Sequence, residues 1–271
     1  MDPELVRQCL AAEASAPSAA VTEGAADVRD VREAAPEPRR AAAGGALYES
    51  IAKSYFTLRI GLAALAFLFP IALWLWAGPE HLQSSISAYY HFRHVAGGES
   101  AYGAGAARDL FVGVLWAIGA FLFFYKGYSS KENIALNVAG VAAVFISLFP
   151  KAWPDEATTF TNTVHFTSAV TFFLAIAYVC LFRPGDTLPL LRDEAQQRRF
   201  KRLYALLCAL MVGVPLGLFA LHLLADSFGV LGDRADESRV VLWVEIAGIW
   251  VFSAFWLAKS REIAQIERQG G

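Results

Sequence analysis

The sequence predicts an all-α fold: a six-transmembrane-helix bundle behind a disordered N-terminal tail. Three observations predict it. Of 271 residues, 56% are hydrophobic and only 18% charged, where a soluble domain carries about 25% charged residues. Mean hydropathy over the chain is positive, which at this length points to a membrane protein and not to a large soluble core. The apolar residues are also gathered into six runs: Ile60–Ala77, Leu110–Tyr125, Ile134–Pro150, Phe166–Phe182, Leu203–Ala225 and Val240–Ala258.

Residues 1–50 are the predicted tail. They are rich in Ala, Glu, Arg and Pro and almost lack aromatics, so they bury too little apolar surface to offset the entropy of ordering. The start is no signal peptide, because no apolar core follows a basic segment. Residues 51–262 form the transmembrane domain and 263–271 a short C-terminal tail. Each run is close to the roughly 20 residues that cross the hydrocarbon core as a helix. Backbone groups in lipid must be satisfied internally, which runs of this length do as helices. The second and third runs are short, and the tight charged linker 126–133 predicts a helical hairpin there. In the fifth run, Gly213 and Gly217 flank Pro215, predicting close helix contact and a kink. Asn137 and Ser253 are expected to form hydrogen bonds between helices. The stretch 192–202 reads either as a short basic amphipathic helix on an anionic leaflet or as a solvated linker.

Lys and Arg set the orientation. Arg39, Arg40, Lys53, Lys126, Lys131, the basic 183–202 segment, Lys259, Arg261 and Arg268 fall on one side. Arg93, Arg108, Lys151, Arg234 and Arg239 fall on the other. Both termini are therefore expected in the cytoplasm, with the chain in the cell (inner) membrane. A net charge of −2 gives no electrostatic footprint for nucleic acid. Three cysteines without paired or metal-ligand spacing give no disulfide framework.

Glu245 is the most informative residue. It lies inside the last apolar run, where a carboxylate costs about 2.5–3.5 kcal/mol on insertion scales and marks a functional site by default. Other polar groups share its predicted depth. Asp109, beside Arg108, opens the second helix; His165 opens the fourth, with Ser168 on the same face; His222 and Asp226 end the fifth. All five histidines fall on the extracytoplasmic side. Such a set has three readings. Asp109, His165 and His222 could ligate a metal, with zinc the candidate. Asp109, His165, Ser168 and Glu245 could serve as catalytic acid–base or nucleophilic groups. Or the charges could form a network with Arg108 and Lys151 that only joins helices. Ser87, Tyr89 and Tyr90 in the long 78–108 loop complete a candidate ligand-binding set with Arg108, Asp109, His165 and Glu245.

Ser87-Ala-Tyr-Tyr, Arg108-Asp-Leu-Phe-Val-Gly113, Tyr125-Lys-Gly-Tyr128, Glu132-Asn133 with Asn137, Leu148-Phe-Pro150, His165 and Glu245 resemble uncharacterised bacterial multi-pass membrane proteins. More distantly, the order of parts is similar to the six-helix family of damage-regulated autophagy modulators and GPI-anchor-remodelling proteins. That family has an outer first loop, an acid opening helix 2, a His opening helix 4 and a Glu in helix 6. The resemblance spans about residues 56–260 and implies no established catalytic mechanism.

The expected function is an integral membrane protein whose extracytoplasmic polar pocket, built from Asp109, His165, His222 and Glu245, binds a lipid headgroup or small polar ligand. A metal-dependent intramembrane lipid hydrolase and a proton-coupled transporter are the alternatives. Membrane lipids are the expected partners.

Overall fold

The computed structural model describes residues 37–78, 81–92, 105–152, 159–227 and 239–270, with side chains described from residue 45 onward and not over 218–227. The expected tail up to residue 36 lies outside the described residues. The chain divides into two units, residues 1–54 and 55–271. In the first unit, residues 37–50 are helical where the sequence suggested disorder. An i,i+4 Lys53–Glu49 ion pair at 2.7 Å and a Ser54 Oγ donation to Ser50 O at 2.9 Å line its exposed surface.

Six helices carry the fold: α1 Glu37–Ala77, α2 Ala106–Phe124, α3 Ser130–Leu148, α4 Phe160–Phe182, α5 Glu194–Ser227 and α6 Val240–Gly270. No strand occurs among the described residues. All six are long and apolar enough to cross a membrane. Successive helices pack side by side, α2 on α3, α3 on α4, α4 on α5 and α5 on α6.

Local sequence sets the ends of these helices. Ser129 caps α3 by accepting from Glu132 N, and Thr159 caps α4 by accepting from Asn162 N, each satisfying an orphan donor of the first turn. Gly105 precedes α2 at φ +106°, a left-handed conformation that glycine adopts without strain.

Apolar residues face both ways, as a bundle in lipid requires. Leu62, Ala66, Phe69 and Leu73 recur at helical spacing and are buried in α1, against Phe111, Ile118 and Leu122 of α2 and Phe252 and Trp256 of α6. Meanwhile Phe67, Trp116, Phe124, Leu174, Leu216 and Trp243 stand exposed. Exposed apolar side chains on every helix are what acyl chains cover in a membrane.

Two element-level expectations change. The 192–202 stretch is neither a separate interfacial helix nor a linker. From Glu194 it continues unbroken into α5, because Ala, Gln, Arg and Lys there are strong helix formers with no breaker between them. Among the described residues the Gly213/Gly217 pair makes no close helix contact, since a side chain built at either position would meet nothing within 4 Å. The close approach is instead between α2 and α3. A Cβ at Gly119 would lie 2.8 Å from Gly140 O, and one at Gly140 would lie 2.6 Å from Gly119 O. The linker hairpin is as expected: Gly127 N donates to Asn133 Oδ1 at 2.5 Å and Tyr128 N to Glu132 Oε2 at 2.7 Å. Ser253 Oγ donates to Ala63 O at 2.8 Å, tying α6 to α1. Asn137, with its amide nitrogen turned toward Phe123 O at 2.8 Å, ties α3 to α2.

Candidate functional site

At the end of the bundle where α6 begins, the first loop folds inward. A 3-10 turn, Ser87–His91, buries Ser87, Ala88 and Tyr89 against α2. Glu245 anchors this turn. Its Oε2 accepts from Ile86 N at 2.5 Å, and its Oε1 lies 3.5 Å from Ser87 Oγ. Ser87 Oγ is also 2.9 Å from His165 Nε2. His165 Nδ1 faces two carbonyls at the end of α3, Phe149 O at 2.9 Å and Ile146 O at 3.2 Å.

These contacts fix the proton arrangement. A carbonyl only accepts, so Nδ1 carries the hydrogen and Nε2 presents a lone pair. Ser87 has one proton to give. His165, at 2.9 Å, is the better acceptor than Glu245 at 3.5 Å. The hydroxyl is thus held by an imidazole whose tautomer is set by backbone, an arrangement that orients an oxygen toward whatever lies in front of it.

In front of it is a cavity of about 70 Å³. Ser87 and Glu245 form its polar end. Its remaining walls are apolar, with Phe69 from α1, Leu115 and Ile118 from α2, Phe172 from α4 and Ile249 from α6 prominent among them.

The other expected site residues are distributed differently. Asp109 is exposed at the start of α2 and pairs with its neighbour Arg108 at 3.5 Å, so neither joins the cavity. Ser168, one turn beyond His165, is buried but borders a separate α3–α4 cleft with Asn137 and Thr171. Tyr89 does not line the cavity: it is only 1% exposed and its ring packs edge-on against Phe92. Burial pushes its phenol above the ordinary value, opposed by the backbone of Gln83 and the charge of Arg239. Tyr90 packs edge-on against Phe111, a cavity wall. The side chain of His222 lies outside the described residues. Among the described residues no three His, Cys, Asp or Glu side chains gather as a metal ion would need. His91 donates from Nε2 to Lys151 O at 2.7 Å, pinning the loop to the segment after α3.

A second polar cluster was not anticipated. It lies at the opposite end of α6, about 25 Å from Glu245 at 1.5 Å rise per residue. Glu262 is wholly buried and accepts from Thr187 Oγ1, from Tyr204 OH at 2.5 Å and from Lys259 Nζ at 3.3 Å. Lys259 Nζ donates to Thr187 Oγ1 at 2.6 Å and sits over the rings of Tyr128 and Tyr204, 5.2 and 5.9 Å from their centroids. Nearby, the buried Arg59 donates to Tyr125 OH at 3.2 Å and Tyr128 OH at 3.4 Å. Glu132, also buried, closes the linker. Burial raises the phenols of Tyr125 and Tyr128, and the Arg59 charge opposes it. The sequence carried a signal for this cluster: Lys259, Glu262 and then Ile263 and Ile266 keep helical spacing past the apolar run. α6 accordingly reaches Gly270, so residues 263–270 continue a helix where a tail was expected.

Fold and polar ends together define a multi-pass α-helical membrane protein. No protein-family model, no curated protein and no solved structure matches this chain.

Proposed function

We propose that the cavity beside Ser87 and Glu245 binds a membrane amphiphile, its polar end on these two residues, with His165 holding the Ser87 hydroxyl from behind, and its apolar part between α1, α2, α4 and α6. The observation that carries this is the grading of the cavity: Ser87 and Glu245 at one end, apolar side chains everywhere else. A carboxylate and a hydroxyl favour a headgroup that donates hydrogen bonds, such as a hydroxyl or an ammonium group. The expected orientation puts this end on the extracytoplasmic side of the cell membrane, which a reporter fused at Gly271 tests: activity on the cytoplasmic side is expected and extracytoplasmic activity contradicts it.

Binding of a fluorescent monoacylglycerol to the purified protein tests the reading. Ile118→Trp, which fills the cavity from α2, should weaken binding at least about tenfold, the equivalent of about 1.4 kcal/mol. Unchanged binding in that variant would sink it.

The 2.9 Å contact of Ser87 Oγ with His165 Nε2 favours a second reading, acyl transfer at the same site without a metal. Ser87 Oγ would attack an ester carbonyl while its proton passes to His165 Nε2. That proton would then go to the departing alkoxide, and water would release the acyl group from Ser87. A fluorophosphonate probe should label the wild type and not Ser87→Ala. Absence of labelling in the wild type excludes this reading and leaves binding intact.

A further inference from the structure

At the end of the bundle remote from the cavity, a groove of about 580 Å³ runs between the start of α5 and the far half of α6. Its chemistry changes along its length. Gln196, Arg199, Arg261 and Gln265 line the part nearest the helix ends. Leu203 and Leu257 line the part nearer the middle of the bundle. α5 runs inward from Gln196 to Leu203, and α6 runs outward from Leu257 to Gln265, so polar residues meet polar and apolar meet apolar across the groove.

Two further observations say what fills it. Neither guanidinium has a carboxylate partner among the described residues, although Arg183 and Arg198 nearby do. The Gln265 side-chain oxygen is buried with no hydrogen-bond partner, and a buried unpaired polar atom is costly enough to imply a missing donor. A guanidinium pair recognises a phosphodiester, an amide oxygen accepts from a hydroxyl, and an apolar trough takes acyl chains.

We propose that this groove is a binding site for an anionic phospholipid with a hydroxyl-bearing headgroup of the glycerol type. Arg199 and Arg261 hold the phosphate, the Gln265 amide turns out of its buried position to accept from a headgroup hydroxyl, and the acyl chains lie along Leu203 and Leu257. The site is independent of the Ser87 cavity and does not depend on which side of the membrane it faces.

Native mass spectrometry of the full chain in detergent tests it, with dioleoyl phosphatidylglycerol titrated against dioleoyl phosphatidylcholine. The wild type should retain phosphatidylglycerol selectively. Arg199→Gln with Arg261→Gln should weaken that binding about 30-fold, from the usual contribution of each arginine near a membrane surface. Arg198→Gln with Arg202→Gln, equal in charge change but outside the groove, should bind as the wild type does. Leu257→Trp, which keeps both charges and fills the apolar half, should also weaken binding. Equal loss in the two double variants, or none in either, overturns the proposal. So does displacement of the lipid by glycerophosphate at comparable concentration, which would make the groove a site for free phosphate esters.

Discussion

Glu245 and Glu262 sit on one helix, and each is held by a different kind of partner. Glu245 accepts a backbone N–H from Ile86, so part of its work is to fasten the first loop. Glu245→Gln keeps an acceptor and should cost little stability, whereas Glu245→Leu orphans a buried donor and should cost about 1–3 kcal/mol. Chemical denaturation in detergent checks this, and equal tolerance of the two substitutions contradicts it. Glu262 is bound by three side chains, Thr187, Tyr204 and the buried Lys259. Lys259→Met alone leaves that carboxylate without its cation and should cost about 3–5 kcal/mol. The double variant with Glu262→Leu should be less destabilised than the sum of the singles, and additivity within error would mean the pair is not coupled. Tyr125 and Tyr128 carry a pH signature. Their phenols are raised by burial, so the stability they confer is whole below the ordinary phenol pKa of about 10 and is lost as pH rises through the higher folded value. Melting temperatures from pH 8 to 11 should fall less steeply in Tyr125→Phe, and parallel curves contradict the assignment.

At the scale of elements, the α2–α3 hairpin shows what determines close packing. Two glycines in sequence, Gly213 and Gly217, suggested a contact in α5, but a GxxxG spacing only permits approach and needs a partner face. Gly119 and Gly140 belong to no GxxxG spacing, yet they meet backbone to backbone. Their pairing depends on the register set by the short 125–129 linker, which no local pattern announces. Gly119→Leu forces α2 away from Gly140 O and should destabilise the protein by about 1–3 kcal/mol as an overpacked site, while Gly213→Leu, with open space around it, should not. Equal melting temperatures for the two variants contradict this packing. The lengths of the helices follow the same logic. Apolar runs located all six, because lipid-facing residues must be apolar whatever they touch. The extensions of α5 back to Glu194 and of α6 out to Gly270 were hidden because they lie beyond the apolar runs, where helix propensity and buried polar partners take over.

Across the whole molecule, the polar groups divide between two ends joined by apolar walls. The Ser87 end was partly legible. Glu245 is conspicuous in an apolar run and His165 lies near a helix start, but their link runs through Ser87, a loop residue whose inward fold no periodicity reveals. Asp109 shared their depth and not their direction, since depth along a helix says nothing about which face a residue occupies. The Lys259–Glu262 end was harder to read, its helical spacing being the one signal, for the reverse reason. Charges near a helix end look solvated until Thr187, Tyr204 and Tyr128 close around them. The Ser87 cavity is therefore the proposed binding place. Photolysis of the full chain with a monoacylglycerol carrying a diazirine in its acyl chain, followed by peptide mapping, tests it most directly. Labelling of the cavity walls at Leu115, Phe172 or Ile249, abolished in Ile118→Trp, is the predicted result; labelling confined to lipid-facing residues such as Trp116 and Leu174, and unchanged in that variant, would contradict it.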